Sequence, residues 1–142
     1  MRNLHVYKIG AAVLFAIVML GGCADQEKAV PDTVWSAEDL AKPVALEFID
    51  KTWFESRHRG RLAPGASESP HTHEDHDMVV EVVSGSARVH TAGAVILAKP
   101  GTKIEIPSGT VHWAENLSKT EPAEAIVIFS PPFDGKDTVP AK

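Results

Sequence analysis

Residues 65–85 read GASESPHTHEDHDMVVEVVSG: two histidines two residues apart, His71 and His73, a third at His76, then branched apolar side chains closing on a glycine. Side chains at i and i+2 of a β-strand share a face, so His71 and His73 can hold one metal ion between them. A single pair of this kind is weak evidence, because histidines also occur singly on surfaces. A second stretch, residues 101–116, GTKIEIPSGTVHWAEN, supplies one more histidine, His112.

Outward from these stretches the chain keeps one texture. From residue 44 onward, short apolar segments alternate with Gly, Pro, Ser and Asp, and none holds a helical period. The expected strands are 44–49, 53–62, 67–73, 78–84, 87–90, 94–98, 103–106, 112–115 and 125–129. Turn residues separate them at Pro64-Gly65, Ser84-Gly85, Ala92-Gly93, Pro100-Gly101 and Ser108-Gly109. Short strands so spaced predict an all-β sandwich or closed barrel. The end of the chain, SPPFDGKDTVPAK, is expected to lie on the barrel surface with Phe133 as its anchor, and no function is assigned to it.

The 142 residues suffice for one domain, and 44% hydrophobic with 23% charged residues is ordinary for a globular chain. A formal charge of −5 argues against nucleic acid as a partner, since phosphate binding needs clustered Lys and Arg. The single cysteine, Cys23, excludes an intrachain disulfide and a thiolate-rich zinc site.

Arg2 and Lys8 open the chain, and the apolar run 9–20 is short for a membrane span. Leu20-Gly21-Gly22-Cys23 follows, and it resembles the lipobox of bacterial lipoproteins. That resemblance implies a cleaved signal peptide over 1–22 and a lipidated Cys23. Ala24, where an aspartate would favour inner-membrane retention, then implies an outer-membrane anchor facing the periplasm. Removing the leader takes away two basic residues and no acids, leaving 12 basic against 19 acidic residues and a charge of −7. Residues 23–42 are expected to form a flexible tether, with a short helical turn capped by Ser36 and favoured by Glu38 and Asp39.

The two glycine-bounded stretches resemble the paired motifs of the cupin superfamily, in its small single-domain form. The first motif is matched by Gly65, His71, His73 and Gly85. The second is matched at every specified position by Gly101, Pro107, Gly109, His112 and Asn116. The resemblance implies a jelly-roll barrel over 43–130, followed by a tail at 131–142, with His71, His73 and His112 converging inside the barrel mouth. It also implies one divalent transition metal (Fe, Cu, Mn, Zn or Ni) and a small-molecule ligand or substrate. The edge strands of such a barrel would let two copies pair as a homodimer.

The departure is Met78, where the family usually places a glutamate ligand. Alternation puts Met78, Val80 and Val82 on one face of the strand, and Asp77, Val79, Glu81 and Val83 on the other. The second face carries the carboxylates and should meet solvent, which argues against Glu81 as a ligand. Three sites remain open: three histidines with vacant positions, a fourth ligand from His76 or Asp77, or the Met78 thioether, which would favour copper. Met78 as a core filler beside the site is the plainer expectation.

Other residues carry less weight. His58, between Arg57 and Arg59, reads as part of a solvated strand face, and His90, before a turn, as exposed. Trp113 should point away from the metal, Trp53 and Phe54 should pack within a strand, and Glu105 should face away from Ile104 and Ile106. No nucleophile triad or phosphate loop stands out. Two functions stay open. One is a metal-dependent enzyme of dioxygenase, decarboxylase, isomerase or lyase type. The other is a non-enzymatic protein that senses or carries a metal or small ligand at the cell envelope.

Overall fold

The computed structural model describes residues 34–142. The expected signal peptide, Cys23 and the first part of the tether lie outside the described residues. A five-residue helix, α1 (Ala37–Ala41), opens them, and the Ser36 hydroxyl accepts the Asp39 N–H as the expected cap. No helix among the described residues is long and apolar enough to cross a membrane.

Ten strands follow: β1 (Val44–Lys51), β2 (Ser56–Leu62), β3 (His71–Thr72), β4 (Asp77–Ser84), β5 (Ala87–Thr91), β6 (Ala94–Ala98), β7 (Lys103–Ile106), β8 (His112–Glu115), β9 (Ala123–Ser130) and β10 (Val139–Pro140). They form two antiparallel sheets, ordered β1-β2-β9-β4-β7 and β10-β3-β8-β5-β6. Leu62, Met78, Val82, Ile106 and Phe129 of the first sheet bury against Ala87, Val89 and Ala98 of the second. This is a jelly roll, and its core lies between the sheets.

The β4 alternation is as its sequence suggested. Met78 and Val82 are buried, Asp77 and Val83 are exposed, and Glu81 pairs with Lys103 at 3.5 Å. Glu105 is exposed between buried Ile104 and Ile106.

The expectation for 53–62 fails at its start. Trp53 is 90% exposed and Phe54 47%, packed edge to face on each other in a loop outside any strand. The cause is Thr52, whose hydroxyl accepts the N–H groups of Phe54 and Glu55 while its own N–H bonds Glu55 O. That hydroxyl-capped turn competes with the ladder, and pairing resumes at Ser56.

His58 is also corrected. It is buried, edge-on to Phe48, Phe129 and Phe133, with Ser56 Oγ 3.0 Å from its Nε2. The flanking arginines misled the sequence reading because they occupy the opposite face. There Arg57 pairs with Asp50 and Arg59 with Glu47, both on β1, and the Trp35 ring covers the Arg59 guanidinium at 4.1 Å. Burial holds the His58 imidazole below its ordinary pKa.

The C-terminal tail is more than a covering. Phe133 stacks on Phe129 with centroids 4.4 Å apart, and Val139 and Pro140 join the second sheet opposite Thr72 and His71.

Candidate metal centre

The first motif supplies two histidines and the second motif aims the third. His71 on β3 sits directly opposite His112 on β8. The turn Pro107-Ser108-Gly109 brings them together. Gly109, at φ +72°, donates its N–H to His73 O at 2.8 Å, so the left-handed glycine docks the second motif onto the first. Ser108 N–H bonds the Asp77 carboxylate at 2.9 Å, which gives Asp77 a turn-holding role on the outer side. Asn116 closes the far end of the motif, its amide donating to the carbonyls of Leu62, Ala63 and Glu121.

Each of the three imidazoles has its Nδ1 on a backbone carbonyl: His71 on Ser69 at 2.9 Å, His112 on Thr110 at 2.8 Å, and His73 on Asp137. A carbonyl can only accept, so each Nδ1 carries a proton, and in the neutral ring the lone pair is on Nε2. His71, His73 and His112 bring one nitrogen each to within 4.8 Å of one another. The His112 Nε2 is buried without any hydrogen-bond partner. A buried orphan nitrogen is costly unless something binds it. Three imidazoles whose Nδ1 atoms are held by carbonyls form a donor set suited to Fe, Cu, Zn or Ni, and the residues present fit the metal that the motifs imply.

The electrostatics agree. Desolvation lowers the His112 pKa to about 4, opposed by the Thr110 carbonyl and reinforced by His71 and His73. His73 is lowered for the same first reason. Both rings are therefore neutral at neutral pH, the form that binds metal.

The candidate fourth ligands lie differently. His76 is buried but turned to the tail, its Nδ1 2.6 Å from Asp137 Oδ2, and it is not one of the grouped three. Met78 is buried on the wall of a cavity of about 530 Å³ that the three histidines also line.

Two residues escaped the sequence reading. Asp137 takes the Glu74 and Asp75 N–H groups on its carboxylate at 2.9 Å each, takes the His76 ring beside them, and offers its carbonyl to His73. The hydrogen bond from His76, with help from the two amides, pulls the Asp137 carboxyl down to about 2. Glu68 is half-buried on the cavity wall, its Oε2 accepting the Ala114 N–H at 2.9 Å. Burial pushes its carboxyl above the usual range, opposed by His71 and by the Ala114 amide. Neither position had a periodic or motif signal to mark it.

His90 is corrected too. Its Nε2 lies 2.7 Å from the Glu115 carboxylate, and its ring lies flat on Trp113 at 4.2 Å. The two rings are cross-strand neighbours on β5 and β8, so stacking shields a histidine that looked exposed.

A jelly roll with three grouped histidines lining its cavity, able to hold a metal ion, is a β-barrel of the cupin type. Residues 58–129 match the cupin domain, and the chain belongs to the cupin family. An uncharacterized protein of Aquifex aeolicus (strain VF5) is 40% identical over 73 residues, which cover 51% of this chain and 59% of that protein. The chain thus spans under two thirds of that relative's length. Among solved structures, KdgF from Halomonas sp. aligns with TM-score 0.60 and 27% identity over 65% of this chain and 82% of its own. A recombinant oxalate oxidase in complex with glycolate aligns with TM-score 0.59 and 25% identity, over 68% of this chain and 56% of its own.

Proposed function

We propose that this protein is a metal-dependent cupin enzyme of the bacterial envelope acting on a small organic substrate. The observation that carries the reading is the convergence of three imidazoles, each held at Nδ1 by a carbonyl, on the wall of a cavity of about 530 Å³. A site that only stored metal would have no use for an organic-sized chamber behind it. A bound divalent transition metal would supply a Lewis acid or a redox centre. The chain's own part is to present three imidazole nitrogens and to exclude water with the wall formed by Met78, Val80 and Phe129. The similarity to an oxalate oxidase supports chemistry on a small oxygen-bearing molecule.

Metal analysis of the chain from Ala24 onward, purified without a histidine tag, is the test. About one iron, copper, manganese, zinc or nickel ion per chain is expected. No metal after reconstitution with any of them would end the metalloenzyme reading, and rapid loss of metal to a chelator without turnover would favour a carrier.

The lipobox at Leu20 to Cys23 supports anchoring to the outer membrane, facing the periplasm. The Cys23→Ser variant is expected to leave the membrane fraction for the soluble one. An unchanged membrane fraction would rule the lipid anchor out.

A further inference from the structure

The cavity behind the three histidines is unlike a site for a sugar or a dicarboxylate. Leu62, Val82, Val89, Val127 and Phe129 are among its walls, and all are buried apolar side chains from both sheets. Sugar hydroxyls pushed against such walls would lose their hydrogen bonds to water and gain none. A second carboxylate would need a cation, and Arg61 is the only cationic residue among the described ones that touches the cavity. Its side chain belongs to the other face of β2. Gly60 is the inward position next to it, since a Cβ there would meet Val127 at 3.3 Å and Leu46 at 3.9 Å. Strand alternation therefore puts the Arg61 side chain on the face of Arg57 and Arg59, away from the chamber's apolar walls, where it is buried with its Nη1 unpartnered.

The histidines share the cavity wall with other polar residues, Glu68 among them. Beside the histidines stands Glu68, which replaces a missing stretch of ladder between β3 and β8. Its N–H bonds Ala114 O at 2.9 Å, and its Oε2 takes the Ala114 N–H. The other carboxylate oxygen has no hydrogen-bond donor among the described residues, and the residue lines the same chamber as His71 and His112. An anchored carboxyl with one free oxygen is a fixed acceptor on the wall of the chamber that His71 and His112 also line, and a second carboxylate has no proton to donate to it.

Building on the metal-centre reading, we propose that the site takes an organic molecule with an apolar aryl or alkyl body and a phenol- or enol-type hydroxyl head. The head meets the metal position and donates its hydroxyl proton to the free oxygen of Glu68, and the body fills the barrel. Glu68 is thus the residue that selects a hydroxyl over a second carboxylate.

Cobalt(II)-loaded protein provides the test, because its visible bands report both metal binding and ligand entry. The probes are 4-ethylcatechol, its dimethyl ether and oxalate. Ethylcatechol should perturb the bands with at least about tenfold higher affinity than either of the others. Glu68→Gln keeps an oxygen for the Ala114 N–H but puts an NH2 donor where the free acceptor oxygen was. It should weaken ethylcatechol by at least about tenfold while cobalt affinity and melting temperature stay unchanged. Tighter binding of oxalate than of ethylcatechol, or an unaffected Glu68→Gln variant, would overturn the proposal while leaving the metal centre intact. A collapse of cobalt affinity in Glu68→Gln would also overturn it, by making Glu68 a ligand. If the parent protein shows no cobalt spectrum at all, the metal centre itself fails and takes the hydroxyl-head assignment with it.

Discussion

The His112→Ala substitution is expected to have two large effects, on metal and on acid stability. Metal content should drop from about one ion per chain to less than roughly a tenth, because two imidazoles leave too few ligands for a borderline divalent ion. The second effect concerns the metal-free protein. Native His112 stays neutral down to about pH 4, whereas the same ring in the unfolded chain titrates near 6.5. Between those values the unfolded chain binds a proton that the native one refuses, so native stability falls as pH drops from 6.5 towards 4. The loss from His112 alone is about 3 kcal/mol in scale. His73 and His58 shift in the same direction and leave a remainder. Urea unfolding of the metal-free parent and variant at a series of pH values measures the difference. A variant whose acid slope equals the parent's would show that His112 is not held neutral by burial.

Much of this centre was legible in the sequence because it is built from local rules. Histidines two apart share a face wherever the chain is extended, and β3 is extended at His71 and Thr72. A Pro-Ser-Gly turn three residues before His112 fixes where that ring points, since Gly109 alone tolerates the positive φ that the docking bond requires. The alternation along β4 placed Met78 inward and Asp77 outward without knowledge of any neighbour. The same logic predicted the Ser36 cap, a contact spanning three residues.

Partners distant in the chain were not legible. Asp137 lies 61 positions after His76 and 64 after His73, in a segment whose prolines and charges suggested only a surface covering. His58 looked solvated because its neighbours are arginines, and only the pairing of β2 with β1 brings those arginines to Asp50 and Glu47 on the outer face. Trp53 and Phe54 looked like strand residues because they are bulky and apolar. The hydroxyl of Thr52, one residue earlier, decided otherwise. In each case a side-chain hydrogen bond or ion pair outweighed propensity, and such bonds depend on geometry that composition does not encode.

The Asp137→Ala substitution is expected to weaken metal binding by about 10- to 100-fold, although Asp137 is not itself placed to bind the ion. The carboxylate gathers the Glu74 and Asp75 amides and the His76 ring. By clamping that loop to the tail it holds its own carbonyl against His73 Nδ1, the contact that fixes which nitrogen His73 offers. Alanine keeps the carbonyl but removes the clamp. The tail would stay attached through the Phe133–Phe129 stack and through β10, where Val139 and Pro140 face Thr72 and His71. His73 would then sample both tautomers and several ring orientations, and only one of these is productive. The pH dependence has a definite sign. With its pKa depressed to about 2, the Asp137 carboxylate contributes stability that is present above the ordinary carboxylate value of 3.8 and lost as pH falls towards 2. At neutral pH the clamp is fully formed, and it is there that parent and variant should be compared by competition with a chromophoric chelator. Asp137→Asn, with one acceptor oxygen instead of two, should fall between them. Equal metal affinity in all three would show that the tail only covers the barrel, whereas graded loss with little change in melting temperature would identify Asp137 as the residue that positions His73.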